Sequence, residues 1–251
     1  MRYAIVTGSS RGLGEAIVRN LLAKEVIVFS ISRSRNMDLE EIAKEGSTLF
    51  YPFSFDLSKL GEMEELMDEV FSLIDLDSAS AIYLINNAGI LDPIKPIAKA
   101  EPNELIENVN VNLMAPMLIT SSFLKRSSYA PCDKRIINIS SGAGKKPYFG
   151  WGAYCTTKAG IDMFTQCVAL EQEDIEYPTR IISFSPGVID TAMQSKIRNA
   201  NKQDFTQRDR FQNLKEEGKL LSPEYVANAV INLLESDSFL QGGTIRIDED
   251  S

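Results

Sequence analysis

The chain has 251 residues, of which 44% are hydrophobic and 24% are charged, and this composition predicts one domain, 1–251, with a substantial core. It contains no histidine, which excludes Ser-His-Asp hydrolases, Cys-His proteases and the usual histidine-based zinc sites, so no metal is expected. Its formal net charge of −9 argues against binding nucleic acid or anionic lipid over a broad surface.

The apolar runs are all shorter than the roughly 20 residues that a helix needs to cross a bilayer, so no membrane span is expected. Residues 1–6 form a strand-like segment that leaves no room for a signal peptide. The three cysteines form no CxxC pair and suit a reduced compartment. We therefore expect a cytoplasmic location.

Short runs rich in β-branched residues alternate along the chain with helix-like stretches. The runs predict about seven strands, at 3–7, 26–31, 48–55, 81–86, 135–139, 180–184 and 244–247. The stretches predict helices that include 13–24, 60–74, 102–126, 152–171 and 223–234. Because continuous apolar strands alternate with helices, we expect an α/β fold, a doubly wound, Rossmann-like parallel sheet with helices on both faces.

The segment 187–221 interrupts this alternation because it is long, polar and charged. It follows a predicted strand, and long insertions in compact domains often act as lids. The alternative is a pair of solvated surface helices. The segment is therefore interpreted either as a cover for the substrate or as a surface feature.

A glycine-rich segment follows the first predicted strand and opens into the first predicted helix. Glycines allow a tight turn and a close approach of the backbone to a pyrophosphate, whose charge the amide groups at the helix start neutralise. The alternative is an ordinary tight turn. We expect cofactor contacts from this segment, at Gly8, Ser10, Arg11, Gly12, Leu13 and Gly14.

The spacing of this loop, TGxxxGxG, resembles that of the short-chain dehydrogenase/reductase family, whose members bind a nicotinamide dinucleotide there. After the second predicted strand, a cofactor with a free ribose usually meets an acidic residue, but this chain carries Arg33. An arginine can pair with a 2′-phosphate through a forked, charge-assisted contact, so Arg33, with Arg11 in the loop, favours NADP(H). The alternative is that both arginines are solvated surface residues.

The resemblance implies further cofactor contacts along the chain. Asp56 resembles the aspartate that contacts the adenine in this family, although it can equally cap the helix that follows. The motif that ends the fourth predicted strand resembles the family's NNAG, which shapes the cofactor wall, and implies contacts from Asn87, Ala88 and Gly89. The segment after the sixth predicted strand resembles the one that holds the nicotinamide carboxamide, and implies contacts from Pro186, Gly187, Val188 and Thr191.

Tyr154 and Lys158 are four residues apart in a predicted helix, which places both on one face. A lysine cation beside a phenol favours the phenolate, so we expect the pKa of Tyr154 to fall from about 10 toward neutrality. Proton exchange then needs no histidine. Ser141 precedes Tyr154 by the family's serine-to-tyrosine interval (154 − 141 = 13), which implies that Ser141, rather than Ser140, orients a carbonyl.

Asn112 resembles the family asparagine that completes the site and supports a proton-relay water. Asn110 is the competing candidate, but the Asn-Leu-x-x-Pro context favours Asn112. The resemblance also implies that Lys158 binds the nicotinamide ribose. The implied reaction is hydride transfer from the nicotinamide to a carbonyl carbon, while Tyr154 gives the carbonyl oxygen a proton. The implied catalytic residues are Asn112, Ser141, Tyr154 and Lys158.

Within the family, the chain resembles the sepiapterin reductases and the bacterial benzil reductases that form (S)-benzoin. The residues that carry this resemblance are 149–155, 162–163 and 188–194. Sepiapterin reductases also carry a pterin-anchoring aspartate near the carboxyl terminus, and an ungapped reading places Arg246 at that position. The preferred interpretation is therefore an NADPH-dependent reductase of a 1,2-dicarbonyl such as benzil, with a pterin carbonyl as the second choice.

Aromatic and sulfur-containing side chains flank the predicted site, at Tyr148, Phe149, Trp151 and Met193. They suit an apolar pocket for a flat aromatic diketone, and the alternative is packing in the core or at an interface. Substrate contacts are expected from Ser141, Trp151, Tyr154 and Met193.

Other classes of function are also considered. An NADP(H)-binding sensor without chemistry would retain the nucleotide fold, and a sugar-nucleotide epimerase would need a substrate domain that the chain lacks. The family resemblance also implies a homodimer or homotetramer, often formed through the helices that start near Pro102 and Gly152.

Overall fold

The chain folds around a single seven-stranded sheet in the computed structural model, which describes residues 1–247; residues 248–251 of the predicted domain lie outside this range. All of the paired strands run parallel, in the order β3-β2-β1-β4-β5-β6-β7. The strands are β1 (Arg2–Thr7), β2 (Ile27–Ser32), β3 (Phe50–Ser54), β4 (Ala81–Asn86), β5 (Asp133–Ile139), β6 (Thr179–Ser185) and β7 (Thr244–Arg246). The predicted doubly wound α/β fold is therefore confirmed.

Helices connect the strands. They are α1 (Gly12–Ala23), α2 (Met37–Glu45), α3 (Met63–Ser72), α4 (Pro102–Val109), α5 (Ala115–Ser127), α6 (Gly152–Glu171), α7 (Ala192–Arg198), α8 (Arg208–Glu216) and α9 (Pro223–Glu235). The start of α9 follows from its sequence, since the Ser222 hydroxyl accepts a hydrogen bond from the Tyr225 amide (3.1 Å) ahead of a proline in the first turn.

The two faces of the sheet each bury an apolar core. On one face α1, α2 and α9 pack through residues such as Ile17, Leu39 and Val226. On the other face α3, α5 and α6 pack through residues such as Met67, Ile119 and Val168. Each strand of the sheet's centre is covered on both sides, which explains why these strands read as nearly continuous apolar runs.

The structure corrects three of the predicted elements. Helix α2 was not predicted, because its sequence is mostly polar and only Leu39 and Ala43 are buried. The predicted helix 102–126 is divided by a π-helical segment, Asn110–Met114, between α4 and α5. The predicted helix 60–74 begins with a 3₁₀ turn, Leu60–Glu62, and its α-helical part ends at Ser72.

The strand order reverses at β1, whose neighbours are β2 and β4. The connections from these strands therefore leave the sheet in opposite directions and open a crevice at the carboxyl ends of the strands, which is where doubly wound sheets bind ligands. Among residues 1–247, no helix combines the length and apolarity that a membrane crossing requires.

Candidate active site

A cavity of about 790 Å³ opens at the carboxyl ends of the strands, within the size range of small-molecule sites. Almost every predicted cofactor and catalytic residue lines it; Asn112 lies directly behind its wall. The lining residues include Gly8, Ser10, Arg11, Gly12, Leu13, Gly14, Arg33, Asp56, Asn87, Ala88, Gly89, Ser141, Trp151, Tyr154, Lys158, Pro186, Gly187, Val188, Thr191 and Met193. Long-range folding thus brings together residues from both halves of the chain.

Two glycines of the glycine-rich segment after β1, Gly8 and Gly14, lie where there is no room for a side chain. A Cβ on Gly14 would lie 2.3 Å from the Gly8 carbonyl oxygen, and a Cβ on Gly8 would lie 2.7 Å from the Ala88 Cα. Gly8 and Gly12 also have φ angles of 68° and 59°, which side chains rarely adopt. Arg11 does not cap the first turn of α1 with its side chain, so the helix amides stay available to an anion. These features fit a dinucleotide pyrophosphate.

The arginines after β2 have different environments. Arg35 is held by Glu40, with Nη2 2.6 Å from Oε2. Arg33 is exposed, lines the cavity and, within residues 1–247, forms no ion pair. Arg33 is therefore the arginine that remains available to a phosphate.

Asp56 contributes to a turn and faces the cavity, whereas the residue at the N-cap of the 3₁₀ turn Leu60–Glu62 is Lys59. Its Oδ1 accepts hydrogen bonds from the Ser58 amide (3.0 Å) and hydroxyl (2.9 Å), so it stabilises the turn that follows β3. It also lines the cavity beside Arg33. The hydrogen bond from the Ser58 amide, aided by the nearby Arg33 charge, lowers the pKa of Asp56 and keeps it ionised.

The wall after β4 is tied to the glycine loop. The Asn87 side-chain amide donates to the carbonyl oxygens of Thr7 (3.0 Å) and Gly8 (3.1 Å), and the Ala88 amide donates to the Thr7 hydroxyl (3.1 Å). Gly89 continues this wall toward the Tyr-Lys pair, because a Cβ there would lie 3.7 Å from Lys158 Nζ. The segment after β4 therefore connects the glycine loop to the polar end of the cavity.

Tyr154 and Lys158 lie on the buried face of α6, as their spacing predicts. Tyr154 is 8% exposed and Lys158 is 5% exposed. Lys158 Nζ lies 5.7 Å from the centroid of the Tyr154 ring and donates a 2.7 Å hydrogen bond to the Ile139 carbonyl oxygen at the end of β5. Ser141 follows β5, and its hydroxyl accepts a hydrogen bond from the Ala143 amide (3.1 Å) and interacts with Tyr154.

The predicted fall in the pKa of Tyr154 is wrong for the protein alone. Burial raises the pKa of Tyr154 to about 12, and the hydrogen bond with Ser141 only partly opposes this effect. Burial also lowers the pKa of Lys158 to about 8, while the nearby Asp162 carboxylate acts in the opposite direction. The i, i+4 spacing correctly places the two groups, but it says nothing of how deeply both are buried. At neutral pH the phenol therefore keeps its proton.

Asn112 lies in the π-helical segment and is 1% exposed. Its side chain accepts a hydrogen bond from the Ile90 amide (2.8 Å) and donates one to the Ile90 carbonyl (2.7 Å), which fixes the strand connection after Gly89. Asn110, its competitor, is only half-buried. The packing therefore favours Asn112, and π-helical segments often occur at functional sites.

Three residues near the site escaped the sequence analysis. Asn108 is fully buried. Its side-chain oxygen accepts a hydrogen bond from the Asn112 side chain (3.1 Å), and its side-chain amide donates one to the Asp92 carbonyl (2.6 Å). Phe205 stacks on Trp151 with the ring centroids 4.7 Å apart, and the Phe211 ring contacts Trp151 at a tilt with the centroids 5.5 Å apart. The available signals were an asparagine one helical turn before Asn112 and two isolated aromatic residues in a charged segment.

The aromatic residues before α6 divide into two groups. Trp151 is 4% exposed, lines the cavity and belongs to a small apolar cluster with Tyr148, Phe205 and Phe211. Phe149 is 51% exposed and is not part of the cavity wall. Trp151 thus combines core packing with a place at the site, whereas Phe149 does not flank the cavity as expected.

The segment 187–221 contains α7 and α8, so the expected helix pair is present. It is not simply solvated, because Ile197, Phe205 and Phe211 are buried against Trp151 and its neighbours. Lys196 of α7 also forms a 2.6 Å ion pair with Asp92, which lies after β4 on the cavity wall. The segment therefore forms one side of the cavity.

A doubly wound sheet with a glycine loop at its reversal point, joined in one cavity to a buried Tyr-Lys pair, defines an oxidoreductase that works with a nicotinamide dinucleotide. The chain belongs to the short-chain dehydrogenase family, whose model matches residues 2–202.

Curated relatives and solved structures extend this result. The chain is 56% identical over 249 residues to a benzil reductase ((S)-benzoin forming) of Bacillus cereus, covering 99% of this chain and 100% of the relative. It is 32% identical to the sepiapterin reductase of Meriones unguiculatus, covering 96% and 94%. Its fold is similar to the crystal structure of the KRED1-Pglu enzyme, with a TM-score of 0.84, 29% identity and coverage of 98% and 100%.

Proposed function

We propose that the protein is an NADPH-dependent carbonyl reductase that reduces one ketone of a 1,2-dicarbonyl such as benzil and yields (S)-benzoin. The observation that carries this proposal is the meeting of Ser141, Tyr154 and Lys158 at the cavity that the glycine loop also lines. The 56% identity to a relative named as an (S)-benzoin-forming benzil reductase supports the substrate and the product.

The proposed chemistry assigns one task to each polar side chain. When bound, NADPH supplies the hydride. Tyr154 donates its phenolic proton to the carbonyl oxygen, which suits a group that stays protonated at neutral pH. Ser141 holds the same oxygen through its hydroxyl, and the Lys158 cation stabilises the phenolate that remains and binds the nicotinamide ribose. Asn112 keeps the proton path ordered.

The cofactor preference rests on Arg33. It lines the cavity at the end of β2 near Asp56 and forms no ion pair within 4.0 Å among the described residues, so its guanidinium can pair with a 2′-phosphate. Arg11 stands at the start of α1 on the same cavity wall. These two cations favour NADP(H) over NAD(H).

The substrate end of the cavity is proposed to be the side lined by Trp151 and Met193, close to Tyr154. Trp151 packs edge-to-face on Tyr154, with ring centroids 5.6 Å apart, and offers an aromatic wall for a flat diketone. The segment 187–221 supplies Met193 and is proposed to cover the substrate.

A pterin side-chain carbonyl is the second candidate substrate, favoured by the 32% identity to a sepiapterin reductase. Against it, Arg246 lines the cavity at the position where those enzymes are expected to carry a pterin-anchoring aspartate. The charge at this position is therefore opposite to the one that the pterin needs.

The test is loss of absorbance at 340 nm with NADPH and, separately, NADH, using benzil, sepiapterin and a simple monoketone. We expect NADPH oxidation with benzil, and its abolition by Tyr154→Phe with NADPH binding preserved. Preference for sepiapterin would support the pterin assignment. Turnover with NADH alone would refute the cofactor assignment, and NADPH binding without any turnover would instead indicate a non-catalytic sensor.

We also propose that the protein is a homodimer or homotetramer. Apolar side chains are exposed on α4 and α6, among them Ile106 (55%), Met163 (59%) and Leu170 (66%), and a second copy would cover them. Light scattering coupled to size-exclusion chromatography measures the mass, and a monomer at micromolar concentration would contradict the proposal.

A further inference from the structure

Asp162 is a buried carboxylate to which the proposed mechanism gives no task. The residue lies on α6 and is 2% exposed. Both of its side-chain oxygens are inaccessible to solvent, and neither accepts a hydrogen bond. Burial of a carboxylate without hydrogen bonds is unfavourable, so a native structure that keeps one needs a compensating interaction.

Two cations supply that interaction from different sides. Lys158 precedes Asp162 by four residues on the same helix, so that Tyr154, Lys158 and Asp162 occupy successive turns of one buried face. Lys145 comes from the loop after β5, with Nζ 3.2 Å from Asp162 Oδ2 but not aligned for a hydrogen bond. Lys145 is 57% exposed, so solvent screens its charge more than that of Lys158.

The loop that carries Lys145 is the one that carries Ser141. Ser141 begins the 3₁₀ turn Gly142–Gly144, and Lys145 follows directly. Gly144 packs so closely on α6 that a Cβ there would lie 2.9 Å from the Lys158 carbonyl oxygen. The Lys145–Asp162 ion pair therefore connects the serine loop to the helix that carries Tyr154 and Lys158.

We propose that Asp162 is a positioning residue, which keeps Lys158 in its cationic form and, through Lys145, holds the Ser141 loop against α6. The inference rests on the proposed function, because that function gives Lys158 and Ser141 their tasks. Burial acts against the Lys158 cation, and the Asp162 carboxylate opposes this by raising the pKa of Lys158.

None of the other groups named around Lys158 carries a negative charge that would stabilise its cation. From α6 itself the titratable neighbour is Tyr154, and from the serine loop it is Lys145. The end of β5 contributes only the neutral Ile139 carbonyl, and the π-helical segment contributes the neutral Asn112 amide behind Gly89. Asp162 is thus the negative charge in this group.

The first test is the pH dependence of kcat for carbonyl reduction in the wild type, Asp162→Asn and Lys145→Met. Without the Asp162 charge, Lys158 should lose its proton more easily, so the alkaline limb should move to lower pH by about one unit. Without the Lys145 charge, the limb should move to higher pH by a smaller amount, because Lys145 is exposed.

Glu171→Gln is the matched control. It removes one negative charge from the same helix at an exposed position and should leave the profile unchanged. If Asp162→Asn lowers kcat equally at every pH and leaves the limb in place, the residue only fills space and the inference is wrong. If Asp162→Asn does not fold, the test is the shift of the alkaline limb to higher pH in Lys145→Met. A limb that stays in place in Lys145→Met would then also overturn the inference.

A second measurement does not depend on catalysis. It compares the pH dependence of urea unfolding between pH 7 and pH 10 in the wild type and Asp162→Asn, because groups that titrate in both proteins cancel in the difference. The rise in stability that accompanies the loss of the Lys158 proton should begin at lower pH in Asp162→Asn than in the wild type. If the wild type reduces no carbonyl but its unfolding differs from that of Asp162→Asn in this way, the proposed function is refuted and the electrostatic role of Asp162 is supported. If the wild type reduces benzil but Asp162→Asn shifts neither the kcat profile nor the unfolding profile, only the role of Asp162 is refuted.

Discussion

Replacing Lys158 with methionine should remove a pH-dependent penalty on the stability of the fold. The lysine is 5% exposed, and burial lowers its pKa from 10.5 to about 8. Methionine fills a similar volume without a charge. The comparison of the two proteins therefore isolates the cost of keeping an ammonium group in the site.

The sign of the effect follows from the protons bound by each state. Below pH 8 both states hold the proton, and the folded state carries the full cost of the buried charge. Between pH 8 and 10.5 the unfolded state binds more protons than the folded state, so the free energy of unfolding rises with pH. At 1.36 kcal/mol per pH unit, the total gain is about 3 kcal/mol, of which roughly 2 kcal/mol falls between pH 7 and pH 10.

The assay is urea unfolding, followed by circular dichroism, of the wild type and Lys158→Met at pH 7, 8, 9 and 10. The difference in free energy of unfolding between the two proteins should change by roughly 2 kcal/mol in favour of the wild type across this range. Groups that titrate in both proteins cancel in the difference. A difference that stays constant with pH would show that Lys158 is not destabilised by burial and would refute the reasoning.

Three further predictions concern the cofactor loop, the phosphate contact and the aromatic cluster. Arg33→Ala should raise the KM for NADPH about tenfold to a hundredfold in steady-state kinetics, because it removes one charge-assisted contact with the 2′-phosphate, and it should leave the KM for NADH unchanged. An equal effect on both cofactors would contradict the phosphate contact. Gly14→Ala should abolish NADPH binding in fluorescence titration, because its Cβ would lie 2.3 Å from the Gly8 carbonyl oxygen, whereas Gly61→Ala, with nothing within 4 Å, should bind normally. Trp151→Ala should lower the free energy of unfolding by about 3–5 kcal/mol, since it removes the stacking on Phe205 and leaves a cavity; a loss below 1 kcal/mol in urea unfolding would show that the cluster adds little.

Local patterns in the sequence were sufficient for the fold class and for much of the site. Apolar strands that alternate with helices admit few arrangements other than a parallel sheet covered on both faces, and the structure has that sheet. The glycines between β1 and α1 and the four-residue spacing of Tyr154 and Lys158 are short-range features, whose geometry follows from a turn or from one helix. The structure therefore has the loop glycines, Tyr154 and Lys158 in the positions that their spacing predicts.

Tertiary packing decided what short-range patterns do not contain. The chain offers both Arg33 and Arg35 after β2, and only the fold shows that Glu40 neutralises Arg35. The pKa values of Tyr154 and Lys158 depend on desolvation by elements distant in sequence, which is why the expected fall for Tyr154 was wrong.

The same holds for the groups that reach the site from a distance. Phe205 and Phe211 lie in a polar segment that the sequence left open as a substrate cover or a surface feature, and both rings contact Trp151. Asp162 lies four residues after Lys158, so its position on the same helical face follows from the sequence, but its complete burial and its ion pair with Lys145 depend on the loop after β5. Spacing along one helix is set by the backbone geometry of that helix, whereas burial and charge partners are set by elements that only the folded chain brings together.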